Sequence, residues 1–350
     1  MTTLYVFGAG ATRGGSFVNA SRHPCLPPLD TDFFTQLQRI QSKKHADLIA
    51  SVLADTVEIF GPNFEVTMEN VFTTLEHTIA MISATGENRD FSKRELQEKR
   101  DRLLQAIAAV LEDSLTTSTS SQQARRIPAM CDYHSAFVQN ILEPKDKILS
   151  FNYDCLLDYS LKEHGNNKWH PRYGYGLNLG PRGSHLEGDA YWTPTTPAKQ
   201  DSTARLFKLH GSLHFNIGKM QKAGYIKLKQ RPYTKQNGNV QFTIIPPEWN
   251  KSYAAEPFKS LWQLASSAIR EAEHIVVIGY SLPPTDLHSV ALFRTSLKKA
   301  ALKSLVVVNP DQKARRRIRT LFHRGLSTKT KILSFDYLSE FVASNTAVWR

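Results

Sequence analysis

Only three cysteines occur in 350 residues, Cys25, Cys131 and Cys155, and no two of them form a CxxC pair. A disulfide framework or a thiolate zinc site needs closely patterned cysteines, so neither is expected, and the chain reads as reduced and cytoplasmic. Long apolar runs are missing too. No stretch approaches the roughly 18–20 uninterrupted apolar residues that cross a bilayer, and no basic segment followed by a long apolar run opens the chain. Neither membrane contact nor export is expected. Acidic residues are in deficit, 32 against 44 basic ones, for a formal charge of +12. The excess gathers at Lys313, Arg315, Arg316, Arg317 and Arg319, with Arg324 just beyond. Such a cluster could hold nucleic acid or an acidic partner, or it could be one solvated helix face. No internal repeat is evident.

What is present is enough apolar material for a large core: 41% of the residues are hydrophobic and 22% charged. Short apolar runs at Leu4–Phe7, Lys147–Phe151, Arg205–Leu209, His274–Ile278, Ser304–Val308 and Lys331–Phe335 read as buried strands. Helical patterns lie between several of them, at Tyr153–Glu163, Pro257–Ala272, Leu287–Ala300 and Asp311–Phe322. Strand and helix in alternation predict an α/β fold, a doubly wound, Rossmann-like parallel sheet. Residues 31–145 break the alternation with long helical patterns, FFTQLQRIQSKKHADLIASVL and SKRELQEKRDRLLQAIAAVLEDSL. The expected organisation is one Rossmann-type domain, 1–30 and 146–350, carrying a mainly helical insertion over 31–145. Within the insertion TTSTSSQQ, residues 116–123, reads as an exposed loop. Residues 164–204, rich in Gly, Pro and aromatics, are too many for a simple connection and read as a lid or a substrate-site loop.

The strand ends carry the chemistry. The first strand runs directly into Gly8-Ala9-Gly10-Ala11-Thr12, followed by Arg13. Such a loop lets backbone N–H groups approach a phosphate without side-chain obstruction, although glycine turns also serve as tight connections. KILSFNYD ends in Asn152, Tyr153 and Asp154; RLFKLHGS delivers His210 and Gly211; HIVVIGYS ends in Gly279, Tyr280 and Ser281, with Asp286 and His288 beyond; SLVVVNPD presents Asn309 and Asp311. In an open parallel sheet, ligands bind at the carboxyl ends of the strands, so five such ends could share one crevice. Each also has a structural reading. Asn152 or Asp154 could cap a helix, His210 could be a core histidine, and Ser281 with Pro283 could form a turn.

In this order GAGAT, FNYD, LHGS, IGYS and VVNPD resemble the motifs of the sirtuin-like family, from residue 5 to about 311. Protein-deacylating members carry a four-cysteine zinc module, which three scattered cysteines cannot build, and RGGSF differs from their Pro-Asp-Phe-Arg continuation. The chain is more similar to the bacterial sirtuin-like branch that destroys NAD+ in antiphage defence. That resemblance implies NAD+ as substrate and no zinc. It assigns the loop Gly8, Ala9, Gly10, Ala11 and Thr12, with Ser281, to the pyrophosphate and Asn309 to the adenosine ribose, counts Gly279 and Tyr280 among the NAD+-binding residues, and leaves Arg13 as a further phosphate contact or an exposed loop arginine. It also implies a homo-oligomer or a HerA-type ATPase partner.

Cleaving the nicotinamide ribosyl bond passes through a cation-like sugar, and the pyridinium leaves without needing a proton. The site must therefore supply orientation, a placed water and a base. Asn152 can hold water or a ribose hydroxyl, and His210 can accept a proton near neutral pH. Asp154 could bind ribose or nicotinamide, favour the cation, or cap the helix. A hydride-transferring dehydrogenase fits less well, because the loop lacks GxGxxG and no acid follows at the usual spacing. The expectation is an NAD+ glycohydrolase. A sirtuin-like protein deacylase or ADP-ribosyltransferase, and a non-catalytic NAD- or ADP-ribose-sensing interaction module, are the alternatives.

Overall fold

The computed structural model describes residues 2–19, 24–86, 91–118, 126–177, 179, 187–216, 226–229, 243–246, 256–283, 286–344 and 346–350. It contains two compact units, one of residues 1–17, 130–244 and 252–350, the other of 18–129 and 245–251.

The first unit is built on six parallel strands: β1 (Thr3–Phe7), β2 (Lys147–Ser150), β3 (Arg205–Lys208), β4 (His274–Ile278), β5 (Ser304–Val308) and β6 (Lys331–Phe335). They lie in the order β3-β2-β1-β4-β5-β6. This is the Rossmann arrangement, in which strand order reverses between β1 and β4. TLYVF, HIVVI and SLVVV are buried at every position, as strands with neighbours on both sides and helices on both faces require. β6 closes one edge and is correspondingly more exposed.

Helices of this unit include α1 (Ala9–Arg13), α2 (Leu156–His164), α3 (Phe258–Glu271), α4 (Leu287–Ser296), α5 (Gln312–Phe322) and α6 (Leu338–Ala343). α3 packs on β3 and α4, and α4 packs on α5. On α5 the buried residues Ala314, Ile318, Leu321 and Phe322 recur at helical spacing, which turns Lys313 and Arg316 to solvent. Two helices are shorter than their sequence patterns. α2 begins at Leu156 with Cys155 as its N-cap residue, and Asp154, one residue further out, satisfies the first-turn Leu156 N–H, which donates to its Oδ1 at 2.9 Å. α4 stops at Ser296, and Ala300 beyond it takes a positive φ of 50°.

In the second unit the helices are Phe33–Gln38, Ala46–Phe60, Met68–Thr85 and Lys93–Ser114. The pattern starting at Phe33 is therefore two helices, separated by a tight turn at Lys43–His45. Ser92 and Glu95 form a capping box: the Glu95 N–H donates to Ser92 Oγ at 3.2 Å, and the Ser92 N–H to Glu95 Oε2 at 2.7 Å. The long helix this starts packs on Ala46–Phe60 and Met68–Thr85. Lys99 reaches Asp55 at 2.9 Å and Glu58 at 2.7 Å, while Arg102 grips Asp55 with two bonds.

The unit boundaries at 17–18 and 129–130 fall earlier than the expected 31–145, because residues 130–141 form a short helix and a π-helical turn within the first unit. The loop expected at 116–123 opens as a strand, Thr116–Ser118, paired antiparallel with Arg126–Pro128; the rest of it lies outside the described residues. In the aromatic stretch expected as a lid or a substrate-site loop, Trp169, Tyr175 and Trp192 are fully buried and anchor it to the core, while Asn166, Asn167 and Thr195–Pro197 are exposed. Among the described residues no helix is long and apolar enough to cross a membrane.

Candidate functional site

Strand register brings the motifs together. Phe7 pairs with Ile278 on one side and Ser150 on the other, Ile278 pairs with Val308, and Ser150 with Lys208. Gly8, Phe151, Leu209, Gly279 and Asn309 therefore leave the sheet in one row. The ladder runs one residue further at each: Gly8 N–H donates to Ile278 O at 3.0 Å, Phe151 to Phe7 O at 3.0 Å, Leu209 to Ser150 O at 3.0 Å, and Gly279 to Val308 O at 2.9 Å.

At the reversal point the β1 and β4 loops meet backbone to backbone. Gly10 N–H donates to Gly279 O at 2.8 Å. A Cβ on Gly8 would stand 2.6 Å from Tyr280 Cα, one on Gly10 2.7 Å from Gly279 O, and one on Gly279 1.9 Å from Ala11 N. Gly279 also has φ +60°. The glycines are thus required by this contact, whatever the ligand. The contact also narrows the anion-binding role expected of the loop, because the Gly8, Gly10 and Ala11 N–H groups already donate to Ile278, Gly279 and Gly8 carbonyls. Ala9 is the exposed residue at the first position of α1, and Arg13, half-buried, ends that helix.

Asn152 and Asp154 are tied to the same loop. Asn152 Nδ2 donates to Gly8 O at 3.1 Å and to Thr12 Oγ1 at 3.3 Å, and the Thr12 hydroxyl donates to Asp154 Oδ2 at 2.9 Å. Gly8 O can only accept, which fixes the amide orientation of Asn152. Its Oδ1 is buried and has no hydrogen-bond partner among the described residues. Both oxygens of Asp154 are engaged, one by Thr12 and one by Leu156, so it holds the scaffold as a cross-tie to the first turn of α2.

His210 is buried beside this segment, its ring edge-on to Phe151 at 5.1 Å between centroids and tilted to Tyr153 at 6.3 Å. Phe151 stacks in turn on Tyr280, 4.5 Å between centroids and 7° from parallel. Tyr280 donates its hydroxyl to Asp286 at 2.5 Å. Asn309 is a strut: Nδ2 donates to Tyr280 O at 3.2 Å, and Oδ1 accepts from Asp311 N–H at 2.9 Å. Ser281 is exposed, and its carbonyl accepts two bonds from Arg317, at 3.2 and 2.9 Å. Arg315 donates to Asn309 O at 2.5 Å and pairs with Asp336. Two of the six clustered basic residues thus brace the strand-end loops, while Lys313, Arg316 and Arg324 stay exposed.

No protein-family model matches the chain, and no curated protein matches it. The three cysteines are buried and not joined in a disulfide, and among the described residues no group of three or more His, Cys, Asp or Glu side chains is placed to hold a metal.

Behind Asn152–Asp154 lies a fully buried polar network that the sequence motifs did not signal. Lys208 Nζ pairs with Asp158 Oδ2 at 3.0 Å. Asp158 Oδ1 accepts from the Tyr175 hydroxyl at 2.6 Å, and that hydroxyl oxygen lies 3.0 Å from His214 Nε2. His214 Nδ1 lies 2.8 Å from Ser212 Oγ and 3.2 Å from Cys155 Sγ. Cys155, His214 and Asp158 have the residue types of a nucleophilic triad but not its electrostatics. Burial pushes the Cys155 thiol well above its ordinary range and drives the imidazole down to about 3, so thiol and ring are both neutral. Burial alone would raise the Asp158 carboxyl, but Lys208 beside it holds it below the ordinary range. The network is a buried ion pair within a hydrogen-bonded shell. Asp158 and Lys208 are 50 residues apart, and only a fold can show that two such charges meet.

Proposed function

We propose that this chain is an NAD+ glycohydrolase of the sirtuin-like kind, releasing nicotinamide and ADP-ribose. The observation that carries the reading is the buried Oδ1 of Asn152, a fixed acceptor with no hydrogen bond among the described residues, beside the strand-order reversal where dinucleotides bind in Rossmann folds. A buried acceptor left unmet costs about 1–3 kcal/mol, and a ribose hydroxyl or the attacking water would meet it.

In this reading the glycosidic bond breaks with its electron pair going to the pyridinium nitrogen, so neutral nicotinamide leaves. Water adds to C1′ of the resulting cation, and its proton passes to His210. Asn152 orients ribose or water, and Asp154 and Thr12 hold Asn152 in place. Tyr280, stacked on Phe151, forms an apolar wall. Destruction of NAD+ serves antiphage defence only if it is restrained until triggered. Control by self-assembly or by a HerA-type ATPase is part of the proposal.

The test is to incubate the purified chain with NAD+, alone and with its partner, and to separate the products. Nicotinamide and free ADP-ribose in equal amounts are expected. ADP-ribose on protein would favour transfer, and NAD+ bound but intact in every assembly state would favour the sensing module.

A further inference from the structure

The residues proposed to handle NAD+ sit on a backbone segment whose carbonyls turn into the protein interior. The Tyr153 carbonyl accepts from Leu213 N–H at 3.0 Å and lies 3.2 Å from Ser212 Oγ. The Asp154 carbonyl accepts from Lys208 Nζ. Lys208 is 1% exposed and its counter-ion Asp158 is fully buried, so both charges are shut off from bulk solvent. Such a pair is a poor way to gain stability, since desolvating both ions costs about as much as their attraction returns, and an apolar replacement is often neutral or better. What the pair does supply is direction. One ammonium joins the end of β3 to two points on the neighbouring chain, the Asp154 carbonyl and the first turns of α2.

We infer that Lys208 is a positioning residue for the reaction, acting through the Asp154 carbonyl to fix Asn152 and Asp154 over the crevice; this rests on the glycohydrolase reading. Its neighbours serve the same end. Tyr175 donates to the second oxygen of Asp158, and the neutral His214 supports Tyr175 from Nε2, so Asp158 cannot swing away from the ammonium. With Nε2 donating, Nδ1 is left to accept from Ser212 or Cys155. None of these groups is exposed to substrate. Lys208 is 54 residues from Asp154 in sequence, so it fastens strand to strand as well as loop to helix.

The test variant is Lys208→Met combined with Asp158→Asn, which removes both charges and keeps an acceptor for Tyr175. Lys208→Met alone would strand a buried carboxylate and could fail to fold, so it is not the diagnostic variant. The double variant is expected to melt within a few degrees of wild type and to keep its KM for NAD+. Its kcat is expected to fall about 10²-fold, the scale of a misplaced catalytic group. An unchanged kcat in the folded double variant overturns the inference. Hydrogen exchange gives a second readout that does not depend on turnover. Amides of 152–157 are expected to exchange about tenfold faster in the double variant, with those of β4 unchanged. If wild type releases no nicotinamide, the glycohydrolase reading fails and with it the role in that reaction, while exchange still decides whether Lys208 fixes the segment: faster exchange at 152–157 supports that, and unchanged exchange overturns it.

Discussion

Asn152→Ala is expected to lower kcat for nicotinamide release by about 10²–10⁴-fold, the range lost when a group that positions or activates the reacting water is removed. The side chain has two jobs that separate chemically. Nδ2 ties Gly8 and Thr12, and Oδ1 is the acceptor left for substrate. Alanine removes both. Losing the ties leaves Gly8 O without that donor and costs about 1–2 kcal/mol of stability. The protein should still fold and still bind ADP-ribose. Asn152→Asp separates the jobs: it keeps an acceptor but sets a second oxygen against the Gly8 carbonyl, so it should destabilise the loop more than alanine does. Steady-state kinetics together with ADP-ribose titration checks both. A turnover rate for Asn152→Ala within about threefold of wild type would remove Asn152 from the mechanism.

Gly279→Ala is expected to be the most damaging single methyl in the first unit. The added carbon would sit 1.9 Å from Ala11 N and 2.5 Å from Gly10 C, all backbone, at a φ of +60°. Neither loop can yield without breaking the ladder bond from Gly279 to Val308 or the Gly10–Gly279 bond. A loss above about 4 kcal/mol follows, a large share of the roughly 5–15 kcal/mol that holds an ordinary domain folded. Gly61 and Gly86, in the second unit, make the control. Both have positive φ, 87° and 76°, but a methyl added at either position would meet nothing within 4 Å. Alanine should cost about 1–2 kcal/mol at the left-handed Gly86 and about 1–3 kcal/mol at Gly61, whose φ of 87° and ψ of 169° lie in a region kept almost wholly for glycine, the backbone term alone in both. Thermal unfolding of the three variants compares the steric and conformational costs directly.

The sheet was legible in the sequence because parallel strands covered on both faces leave uninterrupted apolar runs, and all six runs are strands within a residue or two of their expected ends. The convergence of GAGAT, FNYD, LHGS, IGYS and VVNPD followed from the same rule, since register alone puts Gly8, Phe151, Leu209, Gly279 and Asn309 in one row. What sequence could not show was which polar atoms are already in use. The glycines looked like a phosphate cradle, yet three loop N–H groups are spent inside the protein. Asn309 looked like a ribose contact, and its amide braces Tyr280 and Asp311. Arg315 and Arg317 looked like part of a basic face, and both reach inward to carbonyls of the strand-end loops. Hydrogen-bond partners are tertiary facts, and composition or spacing carries no trace of them. Lys208 was hidden for the same reason, because a lysine in a strand reads as an exposed position until its carboxylate partner is found.

The most direct measurement is a crystal structure of His210→Ala with NAD+, in which slowed chemistry preserves the substrate. The expected result places the dinucleotide across the β1–β4 reversal, with a ribose hydroxyl or an ordered water within about 2.5–3.2 Å of Asn152 Oδ1. NAD+ bound away from that crevice, or bound within it with no donor at Asn152 Oδ1, would contradict the assignment.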